Sequence, residues 1–220
     1  MPDPKRPEIP GFTRPTSPDD VVISQTDAIK AMTHPLRLRL LDLFGPGIEL
    51  TATQCAERTG ESVASCSFHL RQLEKYGRVE RAETHGKERP WRAVGRGFSV
   101  RPDLADPESW PAAKAFGSVF IAERFAQLQR WLTDADRDDP AWLYATTQTH
   151  QEFWVTRDEL DDLSRRMEEL TEPFRGRMAN PDARPPGARQ AHLFGAVWSE
   201  IPDPAEGPAE GPAEDTEEDS

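Results

Sequence analysis

The chain has 220 residues, with 27 basic and 39 acidic side chains, a formal charge of −12, 21 prolines and 36% hydrophobic residues. That length can bury a core without staples, and two cysteines, Cys55 and Cys66, are too few for the disulfide framework of a secreted miniprotein. No apolar run approaches the roughly 20 residues of a membrane span, and the first residues lack the basic-then-apolar order of a secretory signal, so the expected compartment is the cytoplasm.

The bulk charge argues against a polyanionic partner, but it averages over unlike segments. Residues 1–20 hold 3 basic and 4 acidic groups, 21–100 hold 12 and 9, 101–200 hold 12 and 18, and 201–220 hold none and 8. Only the second segment is net basic. Pro2, Pro4, Pro7, Pro10, Pro15 and Pro18 block helix and sheet alike, which predicts a disordered arm over 1–20.

Ala28, Ile29 and Met32 form a short apolar patch before Thr33-His34-Pro35, where proline suits a first helical position. From there Leu36, Leu40, Leu43 and Phe44 trace the stripe of a core-facing helix that Gly45-Pro46-Gly47 ends. Thr51 or Thr53 caps a short helix through Cys55, Ala56 and Arg58, closed by Gly60. Ser62 caps a further helix running to Tyr76, with Cys66, Leu70 and Leu73 inward and Gly77 as its stop. Two short helices joined by a tight glycine-bearing turn are a helix-turn-helix pattern. Val79 and Ala82 then alternate with charged residues, Thr84-His85-Gly86-Lys87 supplies turn chemistry, and Trp91, Ala93 and Val94 return as a second strand.

Residues from about Asp27 to Val94 resemble the winged helix-turn-helix domain of ArsR-type bacterial transcriptional regulators. Four pieces carry the resemblance: His34-Pro35-Leu36-Arg37-Leu38-Arg39-Leu40-Leu41, Cys55-Ala56-Glu57-Arg58-Thr59-Gly60, Ser67-Phe68-His69-Leu70-Arg71-Gln72-Leu73-Glu74-Lys75-Tyr76-Gly77, and Arg89-Pro90-Trp91-Arg92. Phe68 stands where many members carry arginine and, with the Arg-Pro-Trp run, resembles the branch with a longer C-terminal extension. The resemblance implies a DNA-binding regulator, a repressor by default, with a recognition helix over 62–76 in the major groove and a wing over 79–94 on the flanking backbone.

With Cys66, Leu70 and Leu73 inward, Val63, Ala64, Ser67, Phe68, Arg71 and Gln72 point outward. Ser67 and Gln72 can hydrogen-bond a base or a phosphate, Arg71 can reach a guanine edge or a phosphate, and Phe68 or Val63 can touch a thymine methyl. His69, beside Leu70, is expected to meet backbone phosphate, while His85, Lys87 and Arg89 add wing contacts. With Ser62 at the cap, these are the candidate DNA-binding residues; the competing reading is a solvated helix face.

Metal and redox sensing are not expected. The family's thiolate sensors pair cysteines on the first helix of the motif, whereas Cys55 stands between Gln54 and Ala56, and Cys66 lies on an apolar face. His34, His69, His85, His150 and His192 show no i, i+4 pair. No nucleophile elbow or phosphate-cradling glycine loop occurs, so neither cofactor nor catalysis is expected. The carboxylates of 134–139 read as linker and those of 158–162 as helix capping.

Trp110-Pro111 opens a long helix to about Asp134, apolar on two faces: Ile121, Phe125, Leu128 and Leu132 on one, Phe116, Val119 and Phe120 on the other. Two faces need two partners, and the expectation is a homodimer through 111–133. Trp142-Leu143-Tyr144, Phe153-Trp154-Val155 and Ala191 to Trp198 read as strands, with a Thr156/Glu159 capping box opening a helix between the last two. Trp131, Trp142, Trp154 and Trp198 suggest a modest aromatic core or the lining of an effector pocket. The expected architecture is mostly α with small β (α+β): a winged helix-turn-helix domain over 21–98, a dimerisation and small-molecule effector region over 109–201 containing an α+β module, and an acidic disordered tail over 202–220. A winged-helix interaction or scaffold module that does not touch DNA is the rival reading.

Overall fold

Val21–Ile23 (β1) runs parallel to Phe98–Val100 (β4), Val21 opposite Phe98 and Ile23 opposite Val100, and this pair closes the two ends of a helical domain on each other. The computed structural model describes residues 21–45, 47–83, 89–95, 97–103, 105–174 and 176–201. Between the paired strands lie four helices: α1 (Thr26–Met32), α2 (Pro35–Leu43), α3 (Ala52–Thr59) and α4 (Val63–Lys75). A hairpin of β2 (Val79–Arg81) and β3 (Trp91–Ala93) follows them.

The local chemistry explains the helix boundaries. Pro35 opens α2, whose first turn is capped by the His34 ring, Nδ1 accepting from the Leu36 N–H at 3.1 Å. Of the two threonines, Thr51 caps α3: its Oγ1 accepts from the Gln54 N–H at 3.2 Å, and its own N–H donates to Gln54 Oε1 at 2.9 Å. Gly60 ends α3 in the left-handed region at φ 73°, where a side chain would be strained, and Ser62 begins α4 by accepting from the Ser65 N–H at 3.1 Å.

The core of this domain contains Ile29, Met32, Leu36, Leu38, Leu40, Leu50, Cys55, Cys66, Leu70, Leu73, Val79 and Trp91. Leu50 adds a further pairing that sequence periodicity does not show: its N–H donates to the Trp91 carbonyl at 3.0 Å, and the Trp91 N–H returns a bond at 2.8 Å. The hairpin is therefore fastened to the segment before α3 as well as to α4.

The 26-residue α5 (Ser109–Asp134) lays Ala112, Ala113 and Phe116 into the same core, with Val119 and Phe120 half-buried against it. Asp42 on α2 and Arg124 on α5 form an ion pair, and the Arg124 guanidinium lies 5.3 Å from the Phe120 ring centroid. The opposite face leaves Ile121, Phe125, Leu128 and Leu132 exposed. After α5 come the short helices α6 (Pro140–Tyr144) and α8 (Gly176–Ala179), with α7 (Arg157–Glu169) between them in the chain.

The chain divides into two compact units, 1–150 with 171–191, and 151–170 with 192–220. The second is built on α7, whose capping box is the expected one: Thr156 donates its N–H to Glu159 Oε2 at 2.7 Å and accepts from the Glu159 N–H at 3.3 Å. Gly195 packs so closely on this helix that a Cβ there would come within 2.6 Å of Met167 Sδ.

The fold is mostly α with small β, and the hairpin strands stand where expected, but the strands expected after α5 do not form. Residues 142–144 belong to α6, because Pro140 at its first turn and the Asp139 cap, accepting from the Ala141 N–H at 2.9 Å, favour a helix over a strand. Residues 153–155 and 191–198 carry no regular secondary structure, so no C-terminal strand–helix–strand module forms among the described residues. A short apolar run does not by itself distinguish strand from helix, and a strand also needs a partner for its backbone groups. Nor do the tryptophans build an aromatic core there: Trp154 is 101% exposed and Trp198 72%, while the buried one is Trp91 in the hairpin.

Leu70 is fully buried on α4. Leu70→Ala is expected to destabilise the protein by about 2–5 kcal/mol, read as a lowered urea midpoint; an unchanged midpoint would contradict this packing.

Candidate nucleic-acid interface

The inward stripe of α4 is Cys66, His69, Leu70 and Leu73, all buried. This leaves Ser62, Val63, Phe68 and Arg71 exposed, with Ser67 and Gln72 half-buried at the margins. Phe68 keeps 52% of its surface accessible and Val63 46%.

His69 is placed differently from the expectation of a phosphate contact. It is the i+3 neighbour of Cys66 and the i−4 neighbour of Leu73, so it shares their side of the helix and turns inward. Its ring lies 4.2 Å, centroid to centroid, from that of His34 and meets the Phe68 ring edge-on at 5.1 Å. Burial is the main force holding both imidazoles below their ordinary pKa. Arg37 and Arg39 add to it for His34, and His34 and Arg37 for His69, while Glu61 opposes in both cases. A neutral, inward imidazole supplies no cation to a phosphate. The spacing 66, 69, 70, 73 was the available signal for this placement.

On the hairpin, Arg89 is exposed and its Nε donates to the Ala82 carbonyl at 3.2 Å. His85 and Lys87 lie outside the described residues. Sequence reasoning passed over Arg81, half-buried at the end of β2, although its position opposite Trp91 in a hairpin was a usable signal. Arg39 on α2 pairs with Glu61 at 2.7 Å, tying the turn between α3 and α4 to the helix beneath it.

The cysteines are packing residues in this arrangement. Both are buried, Thr59 Oγ1 lies 3.6 Å from Cys66 Sγ, and burial, with Cys66 adding to it, pushes the Cys55 thiol up to about 11. Among the described residues no group of three or more His, Cys, Asp or Glu side chains is disposed to hold a metal ion, and no helix is long and apolar enough to cross a membrane. The acidic clusters are occupied locally. Asp134 pairs with Arg137 at 2.6 Å, Asp138 with Arg189 at 2.6 Å, and Asp162 with Arg166 at 2.7 Å.

Residues 32–81, which span α2, α3, α4 and β2, match a family model described as a helix-turn-helix domain. The chain therefore carries a helix-turn-helix domain, and this class points to a DNA-binding regulator rather than to an enzyme. No curated protein matches the chain.

The imidazole pair makes stability pH-dependent. Unfolded imidazoles take up protons as the pH falls through the ordinary value near 6.5, and the folded pair, His69 buried and His34 half-buried, resists, so this contribution is complete above that value and is lost below it. Between about pH 7.5 and about pH 5.5, His69→Phe should lose less unfolding free energy than the wild type in urea titrations. Equal losses would contradict the assignment.

Proposed function

We propose that the chain is a cytoplasmic, homodimeric, sequence-specific transcriptional regulator of the ArsR type, acting as a repressor by occluding a promoter. In this reading α4 enters the major groove of a pseudo-palindromic operator, with Ser62, Val63, Ser67, Phe68, Arg71 and Gln72 at the bases and adjacent phosphates. His85, Lys87 and Arg89 lie along the flanking backbone. The observation that carries the reading is the outward face of α4, where Val63 and Phe68 stand exposed beside Arg71. Water is a poor partner for that combination, whereas thymine methyl groups and guanine or phosphate oxygens match it.

The second support is α5. Ile121, Phe125, Leu128 and Leu132 recur at helical spacing on the face opposite Phe116, and each keeps more than a third of its surface exposed. A second copy of the same helix is the natural cover, since a two-fold assembly presents two α4 helices to half-sites about one turn apart. Residues 21–98 then form the DNA-binding domain and 109–201 the dimerisation and effector region, while the arms expected at 1–20 and 202–220 lie outside the described residues. A small-molecule effector would act by preferring one dimer geometry, since equal affinity for both shifts nothing.

Two variants test the reading. Arg71→Ala should weaken binding to the promoter of the protein's own operon by about 5- to 150-fold, corresponding to about 1–3 kcal/mol. Ile121→Glu combined with Leu128→Glu should convert a dimer to a monomer in sedimentation velocity and lower promoter affinity with it. A wild-type monomer would overturn the dimer, and no salt-sensitive binding to any promoter fragment would favour a scaffold module.

A further inference from the structure

Arg81 and Arg89 are hydrogen-bonded across the turn end of the hairpin, whose first strand packs on α4. Arg81 is the last residue of β2 and stands directly opposite Trp91 of β3. Its guanidinium carbon lies 3.5 Å from the Trp91 ring centroid. Trp91 is fully buried and bonded through its backbone to Leu50, so the surface beneath the guanidinium is a fixed one. Arg81 Nη1 donates to the Arg89 carbonyl at 2.8 Å, and Arg89 Nε donates to the Ala82 carbonyl at 3.2 Å. The stack occupies a face of the Arg81 plane rather than its donor edge, and the bond to Arg89 uses one of five N–H groups.

The third member is Arg71, on the exposed side of α4. Burial is the first cause of a lowered Arg81 pKa. Glu74 opposes it, while the positive charges of Arg89 and Arg71 lower it further, in keeping with α4, which carries Arg71, packing against β2. Cations held near one another in the free protein repel, and a polyanion relieves that repulsion.

We propose that Arg81, together with Arg89 and Arg71, forms a clamp for one backbone phosphate of duplex DNA, with Arg81 as its pre-oriented member. This rests on the DNA-binding reading above and adds to it a residue and a contact that fixes register. The planar guanidinium fork matches phosphodiester oxygens, and stacking on a buried ring means little rotamer freedom is lost on binding. A phosphate held at the junction of α4 and the hairpin would set helix and wing on the duplex together while carrying no sequence information itself.

The test uses the full chain and a fluorescently labelled random-sequence duplex, with anisotropy titrations across a potassium chloride series. The wild type should show a steep linear fall of log affinity with log salt. Arg81→Gln should reduce that slope by about one unit. Arg81→Lys should keep the slope but bind more weakly at fixed salt, because a point charge neither stacks flat nor presents a fork. Arg92→Ala removes a cation from the other face of the hairpin, where Arg92 pairs with Glu80 at 2.7 Å, and should leave the slope unchanged.

An unchanged slope in Arg81→Gln alongside a shallower one in Arg71→Ala overturns the clamp and leaves the DNA-binding reading standing. Equal slope losses in Arg81→Gln and Arg92→Ala reduce the effect to net charge and also overturn it. A wild-type protein without salt-dependent binding overturns both readings. Thermal melts monitor folding; if Arg81→Gln is unfolded, Arg81→Lys decides, and affinity equal to the wild type overturns the clamp.

Discussion

Cys66, His69, Leu70 and Leu73 bury one side of α4 in the domain core, and that burial sets the rotation of the helix about its own axis. Each large apolar side chain removed from water contributes about 1.5–3 kcal/mol, so turning the helix by even one residue position would cost more than any single outward hydrogen bond returns. The exposed set of Val63, Phe68 and Arg71 is the complement of that stripe rather than an independent feature. The hairpin depends on the same packing, because Val79 and Trp91 enter the core beside Leu73 and carry Arg81 and Arg89 with them. A reading surface on such a scaffold is placed by its hydrophobic underside.

The charge distribution follows the same division. The overall −12 would repel a nucleic acid, yet the segment containing the helix-turn-helix holds 12 basic against 9 acidic residues, and the last 20 residues hold 8 acidic and no basic ones. Within the basic segment several charges are already committed. Arg39 pairs with Glu61, and Arg92 with Glu80, while Arg71 and Arg89 stand exposed with Arg81 half-buried beside Trp91. Screening by salt weakens exposed contacts of this kind, so affinity for DNA should be strongly dependent on ionic strength.

Much of the helix-turn-helix was legible because its determinants are local. Ser62 as a cap, Gly60 as a left-handed stop, Pro35 at a first turn and the 66, 70, 73 stripe each act within a few residues, and all stand where expected. What sequence reasoning missed is non-local. The pairing of Val21–Ile23 with Phe98–Val100 and the bonds between Leu50 and Trp91 join segments far apart in the chain, and no periodicity announces them. His69 was misplaced by treating a polar residue as outward when its spacing put it inward. In the second half, apolar runs such as Trp142-Leu143-Tyr144 and Phe153-Trp154-Val155 fit either strand or helix, and proline and capping residues decided the first case against a strand. The capping box at Thr156 and Glu159, by contrast, was readable because it is complete within four residues.

The account comes down to whether the outward face of α4 selects particular DNA sequences. Genome-wide mapping of the DNA bound by the protein in its native cell tests this most directly. The account predicts a limited set of promoter-proximal sites sharing an inverted repeat, with half-sites about one helical turn apart. A map without enriched sites, or with sites that share no common sequence, would contradict it.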